Sequence, residues 1–484
     1  MTRTSSRAVR AAVLDAGSWV GWDTPIDLSQ ADDDYVRRLR RAAERAGTDE
    51  SVVTGEGRIS GRRIALVVSE FDFMAGSVGI AAADRLCAAI RRATRERLPL
   101  LASTASGGTR MSEGTPAFLR MIDVTRAIVD HRAAGLLYLV HLRHPTTGGV
   151  LASWGSLGHV SLAEPGALIG LIGPKVFEHL AGRPFPPDVQ VAEKLRDHGV
   201  IDHVVTPGGL RHVAAALMEL LGDRIRPPTF ACSQPQRSSG ATSVWAAVEA
   251  TRAPDRISLS DLMARCDDVI RLDGMDAGAN TSRVVVAFAR MNGMSCVVVG
   301  QDRRAQTAGH LLGPAAMRIA RRGMTLAQSL GLPLVTVVDT PGAELSAPAE
   351  NGGLAREVAN CLASLSALTV PSVSVLLGQG GGAGALALLA ANRTVAAEQS
   401  WLAPLPLEGA SAIEYGDVTH APDMARRQHI GVEALRREGR VHVVVPERRG
   451  KPVDDLAIAI LAAVRSQLDE LRSTCARPIL DSGR

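Results

Sequence analysis

The segment 373–388, VSVLLGQGGGAGALAL, carries an apolar run directly into a cluster of glycines and then into a second apolar run. This order predicts a buried strand that turns sharply into a helix. Glycine lets the backbone approach a ligand closely, and the first N–H groups of a helix lie at the positive end of its dipole. The segment therefore predicts a corner whose backbone stabilises an anion.

A second segment, residues 137–156, has the same order: LYLVHLRHPTTGGVLASWGS. Landmarks around the two segments recur in the same sequence, separated by 234 residues, or by 235 for one glycine pair. They are Gly79 with Gly313, Leu98-Pro99 with Leu332-Pro333, Gly108 with Gly342, Gly149 with Gly384, and Glu164 with Glu398. Self-similarity over this distance predicts two copies of one domain.

Length and composition agree with two domains. The 484 residues, 46% of them hydrophobic, are sufficient for two cores in domains of roughly 200 residues each. Residues 226–243, RPPTFACSQPQRSSGATS, are rich in proline, serine and glutamine and predict a linker. We expect an N-terminal domain over 1–225, a linker over 226–258 and a C-terminal domain over 259–484.

Several classes of function are disfavoured by composition. The 54 basic residues are scattered among 50 acidic ones and aromatic residues make up 3%, so we expect no nucleic-acid partner. The six cysteines stand far apart without a metal-ligand spacing, and no zinc site is expected. No apolar run has the length of a signal peptide or a membrane span, so a cytoplasmic protein without a membrane partner is expected.

Other motif interpretations were weighed. GQGGGA at 378–383 formally fits a dinucleotide fingerprint, but that motif opens its domain, and the corresponding HPTTGG of the first copy cannot serve this purpose. Close packing of a helix on a strand is the structural alternative for both glycine pairs. His144 is interpreted as a turn residue, and Asp339 as a residue that fixes its loop by accepting backbone N–H groups. No triad or nucleophile elbow is present, so the chemistry is expected from backbone donors.

A loop after the predicted strand LPLLAS, SGGTRMSEG at 106–114, offers the other candidate contacts. A guanidinium beside a Gly-Gly turn suits phosphate or carboxylate. The candidates for contact with a ligand are Ser106, Gly107, Gly108 and Arg110.

These motifs resemble the carboxyltransferase component of biotin-dependent acyl-CoA carboxylases, a branch of the crotonase-like superfamily. ASGGTRMSEG and the stretch from HPTTGG to LIGP resemble the β-type half of this enzyme, whereas VVDTPGAE, LLGQGGGAGALAL and PLEGASAI resemble the α-type half. The similarity covers about residues 10–225 and 259–450 of one chain, in the order of fused members. Two departures are ELSAPAENGG after DTPGA and Ala383 where glycine is common.

The resemblance implies an α/β fold of two tandem crotonase-like (ββα-spiral) domains, with the active site between the N-terminal domain of one subunit and the C-terminal domain of another. Acyl-CoA is expected on the first domain and carboxybiotin on the second. Gly148 and Gly149 would donate to the thioester oxygen as the enolate forms, and Gly384 and Ala385 to the ureido oxygen of biotin. The remaining contacts would come from Ser106, Gly107, Gly108 and Arg110 for CoA and from Gly342, Gly381 and Gly382 for biotin.

The resemblance also implies partners. The chain contains neither an AMKM-type biotinylation site nor an ATP-binding biotin carboxylase region, so carboxybiotin must arrive on a separate biotin carboxylase or biotin carboxyl carrier subunit. A homo-oligomer is expected, in the family a hexamer, without a metal in this chain. Two alternatives stay open: a biotin-independent decarboxylase of malonyl-type thioesters, and a non-catalytic scaffold subunit.

Overall fold

The structure is a computed structural model that describes residues 4–26, 32–171, 178, 182–186, 189–230, 243–272, 283–306, 311–344, 346–447 and 452–475. Its contacts divide the described chain into two compact units, the first ending at Glu219 and the second beginning at Leu220. Within the described ranges, no helix is long and apolar enough to cross a membrane.

The first unit contains eight described strands and a set of helices. They are α1 (Ser6–Val13), β1 (Val20–Gly21), α2 (Asp33–Ala46), β2 (Val52–Ile59), β3 (Arg62–Ser69), α3 (Ile80–Arg95), β4 (Leu100–Ser106), α4 (Gly114–Ala133), β5 (Tyr138–Thr147), α5 (Gly148–Leu151), β6 (Val160–Ala163), β7 (Ile169–Gly170), α6 (Ala192–Asp197), β8 (His203–Val204) and α7 (Pro207–Gly222), whose end belongs to the second unit.

The sheet of this unit has the strand order β1-β2-β3-β4-β5-β6-β8, and β7 pairs with β5. The first three strands pair antiparallel, and the pairs from β3 to β8 are parallel. Apolar and polar residues alternate around Ser60-Gly61 in GRISGRRIALVVSEFDF (57–73), which predicts a hairpin. The structure confirms it: β2 and β3 meet at Ser60 and Gly61, both with positive φ, as a two-residue hairpin turn of this kind requires. β4 is buried at every residue, which is typical of a parallel strand covered on both faces.

The helices α3 and α4 cover this sheet. Along α3 the buried residues recur every three or four positions, and Leu86 and Ile90 join strand residues such as Val67 and Val140 in one core cluster. Such a stripe is what an amphipathic helix buries against a sheet. The packing of α3 on the sheet therefore fixes the position of its N-terminus relative to the end of β4.

The second unit has a corresponding set of elements. They are α8 (Val244–Thr251), α9 (Leu259–Ala264), β9 (Asp268–Arg271), β10 (Val284–Met291), β11 (Met294–Gln301), α10 (Pro314–Leu330), β12 (Leu334–Thr340), α11 (Ala347–Asn351), α12 (Leu354–Ser366), β13 (Ser372–Gly381), α13 (Gly382–Leu386), β14 (Arg393–Ala397), β15 (Trp401–Ala403), α14 (Leu407–Tyr415), α15 (Ala421–Arg427), α16 (Val432–Arg437), β16 (Val443–Val445) and α17 (Val453–Cys475).

Its sheet has the order β9-β10-β11-β12-β13-β14-β16, with β15 on β13. The two pairs among β9, β10 and β11 are antiparallel and the pairs from β11 to β16 are parallel. Strand order and direction therefore match those of the first unit. The chain is mixed α/β with two sheets rich in parallel pairs, as the sequence predicted.

The predicted linker is corrected at its C-terminal end. Residues 243–258 include α8, whose Val248 is fully buried in a cluster with Trp401 and Leu407 of the same unit. The Trp401 indole N–H also donates to Thr251 Oγ1 at 2.9 Å. Val248 and Thr251, three residues apart, form the buried face of this short helix. The proline- and serine-rich sequence before it obscured the helix. The linker residues 231–242 lie outside the described residues.

Candidate active site

The end of β4 in the first unit is held by a closed set of hydrogen bonds. Gly107 N–H donates to the Ala75 carbonyl at 2.9 Å, and Gly108 N–H donates to Ser106 Oγ at 3.0 Å. Ser106 Oγ in turn donates to the Gly76 carbonyl at 2.6 Å. Three predicted contact residues, Ser106, Gly107 and Gly108, thus build the turn itself.

The next residue of this turn, Thr109, keeps free donors. Its neighbours bond to Val78 on both sides: Val78 N–H donates to the Gly108 carbonyl and Arg110 N–H donates to the Val78 carbonyl, each at 2.9 Å. Among the described residues, Thr109 N–H has no acceptor and the buried Thr109 Oγ1 has no partner. The structure thereby brings forward a residue that the sequence analysis passed over.

Arg110 does not lie free for a ligand. Its side chain is 2% exposed, and its guanidinium forms an ion pair with Glu50 and bonds to Glu113 and the Tyr35 hydroxyl, both at 3.1 Å. Glu113 also accepts the Ile80 N–H at the start of α3. The prediction that Arg110 contacts a ligand is corrected. Arg110 holds the turn in place through Glu50, Glu113 and Tyr35, because a buried guanidinium must satisfy its donors within the protein.

The two glycines after β5 differ in the hydrogen bonding of their N–H groups. Gly148 has φ +64° and donates its N–H to the Leu171 carbonyl at 3.1 Å. This hydrogen bond corrects the expectation that Gly148 supplies a free donor, since its role is to turn the chain into α5. Gly149 and Val150 follow as the second and third residues of α5, and neither N–H has an acceptor among the described residues. Their N–H groups are therefore the free donors of this corner.

The turn after β4 and the start of α5 come within contact distance of each other. A Cβ added to Gly148 would lie 3.3 Å from Gly108 Cα, and one added to Gly149 would lie 2.9 Å from Thr109 Oγ1. Only glycine permits this approach without displacing a neighbour. The first unit thus brings the free donors of Thr109 together with those at the start of α5.

In the second unit the turn after β12 repeats this arrangement. Gly342 N–H donates to Thr340 Oγ1 at 3.1 Å, and Glu344 N–H donates to the Leu312 carbonyl at 3.0 Å. Ala343 between them pairs with Leu312 as Thr109 pairs with Val78, and its N–H has no acceptor among the described residues. Ala343 is the second residue that the sequence analysis missed; both residues directly follow the recurring Gly108 and Gly342, which could have identified them.

The strand register corrects the correspondence of the glycines. Leu100 pairs with Tyr138 and Leu334 with Ser372, and at the strand ends Ser106 pairs with Thr146 and Thr340 with Gly380. Each of these residues in the first unit lies 234 positions before its counterpart in the second unit. Gly382 likewise begins α13 with φ +58°, as Gly148 begins α5. Gly149 therefore corresponds to Ala383 rather than to Gly384, because the ladder and not the glycine pattern sets the register.

The free N–H donors at the start of α13 therefore lie one residue earlier than the sequence predicted. Ala383 and Gly384 are its second and third residues, and neither N–H has an acceptor among the described residues. Ala385 is the fourth residue and fully buried, so a regular helix directs its N–H to the carbonyl four residues earlier. The expectation that Ala385 donates is corrected to Ala383 and Gly384. A Cβ on Gly384 would lie 3.3 Å from Ala343 N.

Two further predicted glycines, Gly381 and Gly342, have different surroundings. Gly381 ends β13 so close to the neighbouring turn that an added Cβ would lie 2.1 Å from the Pro341 carbonyl oxygen. Gly342 adopts φ +155°, and an added Cβ would meet only Pro406 at 3.8 Å. The packing alternative therefore applies to Gly381.

Polar side chains beneath this corner hold it in place. Gln301 Nε2 donates to the Gly384 carbonyl at 2.6 Å, while its Oε1 accepts Asp339 N–H at 3.2 Å. Asp339 Oδ1 accepts Gln379 N–H at 2.9 Å, which confirms the interpretation of Asp339 as a loop-fixing residue. Burial raises the pKa of Asp339 to about 6, despite that N–H and the Arg303 guanidinium at 3.3 Å.

His144 is likewise structural. Its Nδ1 accepts the Leu168 N–H at 3.1 Å, and its own N–H donates to Glu164 at 3.2 Å. Among the described residues no group of three or more His, Cys, Asp or Glu side chains could hold a metal ion.

A cavity of about 820 Å³ runs along α3 on the side of Trp22 and Tyr35. Three of the arginines that line it have partners: Arg85 pairs with Asp49 at 2.9 Å, Arg92 with Glu96 at 2.8 Å and Arg110 with Glu50. Neither Thr109 nor Gly149 lines it. The free backbone donors thus lie outside this cavity.

Comparison with known proteins decides the family. The profile described as "Carboxyl transferase domain" matches residues 13–474. The chain belongs to the carboxyl transferase family. This finding confirms the resemblance drawn from the glycine motifs.

Relatives whose names state a function agree. The chain is 50% identical over 479 residues to the probable biotin-dependent acyl-coenzyme A carboxylase beta3 subunit of Mycobacterium tuberculosis, covering 98% of this chain and 95% of that protein. It is 35% identical over 499 residues to the acetyl-coenzyme A carboxylase carboxyl transferase subunits beta/alpha of Saccharopolyspora erythraea, covering 98% and 86% respectively. The family is therefore that of biotin-dependent acyl-CoA carboxylases.

Solved structures support the fold. The transcarboxylase 12S crystal structure, described as a hexamer assembly with methylmalonyl-coenzyme A bound, matches with a TM-score of 0.75 at 21% identity, over 100% of this chain and 92% of that one. A single-chain, multi-domain long-chain acyl-CoA carboxylase matches with a TM-score of 0.69 at 18% identity, over 96% of this chain and 46% of that one. At these identities the match shows a shared fold.

Proposed function

We propose that this chain is the carboxyltransferase subunit of a biotin-dependent acyl-CoA carboxylase, which transfers CO2 from carboxybiotin to the α-carbon of an acyl-CoA. The observation that carries the proposal is the pairing of free backbone donors in each unit: Thr109 with Gly149, and Ala343 with Ala383 and Gly384. Two such donor sets suit a reaction in which two oxygens gain negative charge.

The donor set of the first unit is proposed for the thioester oxygen of acyl-CoA. Loss of the α-proton moves charge onto this oxygen as the enolate forms, and N–H groups that are already in place stabilise that charge without reorganising. The enolate carbon then forms the new bond to CO2. The Gly149 and Thr109 N–H groups would hold the oxygen in this step, and Ser106, Gly107 and Gly108 would keep the turn rigid.

The donor set of the second unit is proposed for the ureido oxygen of biotin, carried by a separate subunit. Bound carboxybiotin supplies CO2 and, once it has released CO2, a base for the α-proton. The residues fit such a group because Ala343, Ala383 and Gly384 present N–H donors, and among the described residues these donors have no acceptor. Gln301 and Asp339 would fix these donors from below.

The correspondence of the units supports a common origin. We infer that the two units are crotonase-like domains that arose by duplication, because strand order, strand direction and the 234-residue register of the central ladders agree. A homo-oligomer, in which each site is completed by a neighbouring copy, and a biotin carboxylase or carrier subunit as partner are part of the proposal.

The reverse reaction tests it. The pure chain is mixed with malonyl-CoA or methylmalonyl-CoA, and thioester carboxylate loss is measured with and without free biotin or a biotinylated carrier protein. Loss that requires biotin is expected. Loss without biotin would instead indicate the malonyl-type decarboxylase, and no loss on either substrate would contradict the carboxyltransferase in favour of the scaffold.

A variant links the activity to the second donor set. Gly384→Ala would place a methyl group 3.3 Å from Ala343 N and partly cover its N–H. We expect a loss of about 100-fold in biotin-dependent turnover, comparable to losing one oxyanion donor. Gly409→Ala, at a helical site where an added Cβ meets nothing within 4 Å, is the matched control and should retain wild-type turnover.

A further inference from the structure

The hydroxyl of Thr109 is buried and unused in the free protein. Its Oγ1 has no hydrogen-bond partner among the described residues. Hydroxyls of the adjoining strands are all engaged: Ser106 Oγ bonds to the Gly76 carbonyl at 2.6 Å, and Thr104 Oγ1 and Thr146 Oγ1 lie 3.0 Å apart. An orphaned buried hydroxyl is unfavourable in the folded state unless a ligand supplies its partner. Ser69 Oγ on β3 also has no partner among the described residues, so it is the position of the Thr109 hydroxyl that points to a ligand.

The position of this hydroxyl points to what that partner is. A Cβ on Gly149 would lie 2.9 Å from Thr109 Oγ1, so the hydroxyl borders the space that the glycine leaves open. The unbonded N–H groups of Thr109 and Gly149 belong to the same two corners. Three donors from two residues therefore belong to the two adjoining turns where the thioester oxygen is proposed to lie.

The second unit lacks this third donor. Ala343 occupies the corresponding place: it follows Gly342 and pairs with Leu312, as Thr109 follows Gly108 and pairs with Val78. Its turn is otherwise held by an equivalent hydroxyl-to-N–H bond, from Gly342 N–H to Thr340 Oγ1. The hydroxyl is thus not needed to build the turn.

We propose that the Thr109 hydroxyl is a catalytic residue that donates a third hydrogen bond to the thioester oxygen of the acyl-CoA. This inference rests on the function proposed above. The proton stays on Oγ1 throughout, and no covalent bond to the enzyme forms. The hydrogen bond strengthens as the carbonyl oxygen becomes the negatively charged enolate oxygen, so it lowers the barrier more than it tightens substrate binding.

Thr109→Val, which exchanges the hydroxyl for a methyl group of similar size, tests the role in the full chain. With malonyl-CoA or methylmalonyl-CoA and free biotin, we expect kcat to fall about 10- to 100-fold and KM to change by less than about 3-fold. Thr109→Ser, which restores the hydroxyl, should recover most of kcat. The melting temperature of Thr109→Val should equal or exceed that of the wild type, because no hydrogen bond is lost in the free protein.

Ser69→Ala is the matched control, since Ser69 Oγ is another buried hydroxyl without a partner among the described residues of this unit. Its turnover should equal that of the wild type. Wild-type kcat in Thr109→Val, or an equal loss in Thr109→Ser, would overturn the role of the hydroxyl while leaving the proposed function intact. Absence of biotin-dependent turnover in the wild type would overturn both proposals.

Discussion

In the proposed mechanism, backbone N–H groups rather than acidic or basic side chains stabilise the developing negative charge. Thr109, Gly149, Ala343 and Ala383 represent three residue types, yet each presents an amide that has no acceptor among the described residues. An amide fixed in this way is a donor of constant charge, which does not titrate and needs no partner residue. Activity of such a site depends on the geometry of its turns.

Charged residues near these amides are buried and paired with each other, and their role is structural. Arg110 and Glu50 are almost completely enclosed and satisfy each other, so they hold a turn in place and do not receive a ligand. Sequence alone could not distinguish binding a ligand from holding the turn. A guanidinium beside two glycines suits an anionic group of a ligand as well as a carboxylate of the protein itself. Burial of the partner, Glu50, 60 residues away, decided it.

Asp339 predicts a pH dependence of stability. Burial raises its pKa from 3.8 to about 6, so the folded state holds the proton more tightly than the unfolded state. Between about pH 4 and pH 6 this residue therefore lowers the free energy of unfolding as pH rises, by up to about 3 kcal/mol. Asp339→Asn does not titrate in this range.

Urea denaturation of the wild type and Asp339→Asn at pH 4, 5, 6 and 7 measures this contribution. The variant's free energy of unfolding minus that of the wild type should increase from pH 4 to pH 6 and then level off. Because other carboxylates are common to both proteins, they cancel in the difference. A difference that stays constant with pH would show that Asp339 keeps an ordinary pKa.

At the scale of elements, the strand–turn–helix corner is the unit that recurs. β5 with α5 and β13 with α13 each end a buried strand in a positive-φ glycine, Gly148 or Gly382, that starts a short helix. The turns after β4 and β12 pack against these corners. Each pair of corners needs glycine where two backbones touch, which explains why the glycine pattern is readable in the sequence.

Gly381→Ala tests this close contact. The added Cβ would lie 2.1 Å from the Pro341 carbonyl oxygen, so backbone atoms of β13 and the turn after β12 must separate. We expect the free energy of unfolding to fall by about 2 kcal/mol or more. Gly409→Ala, in helix α14 with open space around it, should instead be neutral or stabilising by about 0.5–1 kcal/mol. Equal stability of the two variants in chemical denaturation would contradict the close packing.

At the scale of the whole molecule, one helix face of the first unit is left apolar. Phe118, Ile122 and Val129 of α4 are 58%, 49% and 52% exposed and share one side of the helix, since they are spaced by four and seven residues. Apolar side chains grouped on an exposed face mark a surface that associates. This face belongs to the proposed homo-oligomer.

Phe118→Glu should weaken that association. Light scattering coupled to size-exclusion chromatography is expected to show a smaller particle than the wild type, because a carboxylate is costly to bury in an apolar interface. Circular dichroism should stay unchanged, since the side chain is exposed within the chain. Arg37→Gln, at an exposed position of α2, should leave the particle size unchanged. A wild-type monomer would refute the proposed oligomer itself.

The sequence by itself determined the family, the two-part α/β organisation and the places where strands turn into helices. These features follow from local order: apolar strand runs, helical spacing and glycines at fixed distances. The family was confirmed by the match over residues 13–474. The hairpin at Ser60-Gly61 followed from local turn chemistry in the same way.

Tertiary structure alone decided which amides remain free. The Gly148 N–H donates to the Leu171 carbonyl, the registers of the two separate ladders make Gly149 correspond to Ala383, and Arg110 is paired with the buried Glu50. Each of these facts depends on a partner distant in sequence, which no local pattern specifies. Free donors are defined by the absence of such a partner among the described residues. The recurring glycines could have pointed to Thr109 and Ala343, but only the folded chain shows that their amides are unbonded.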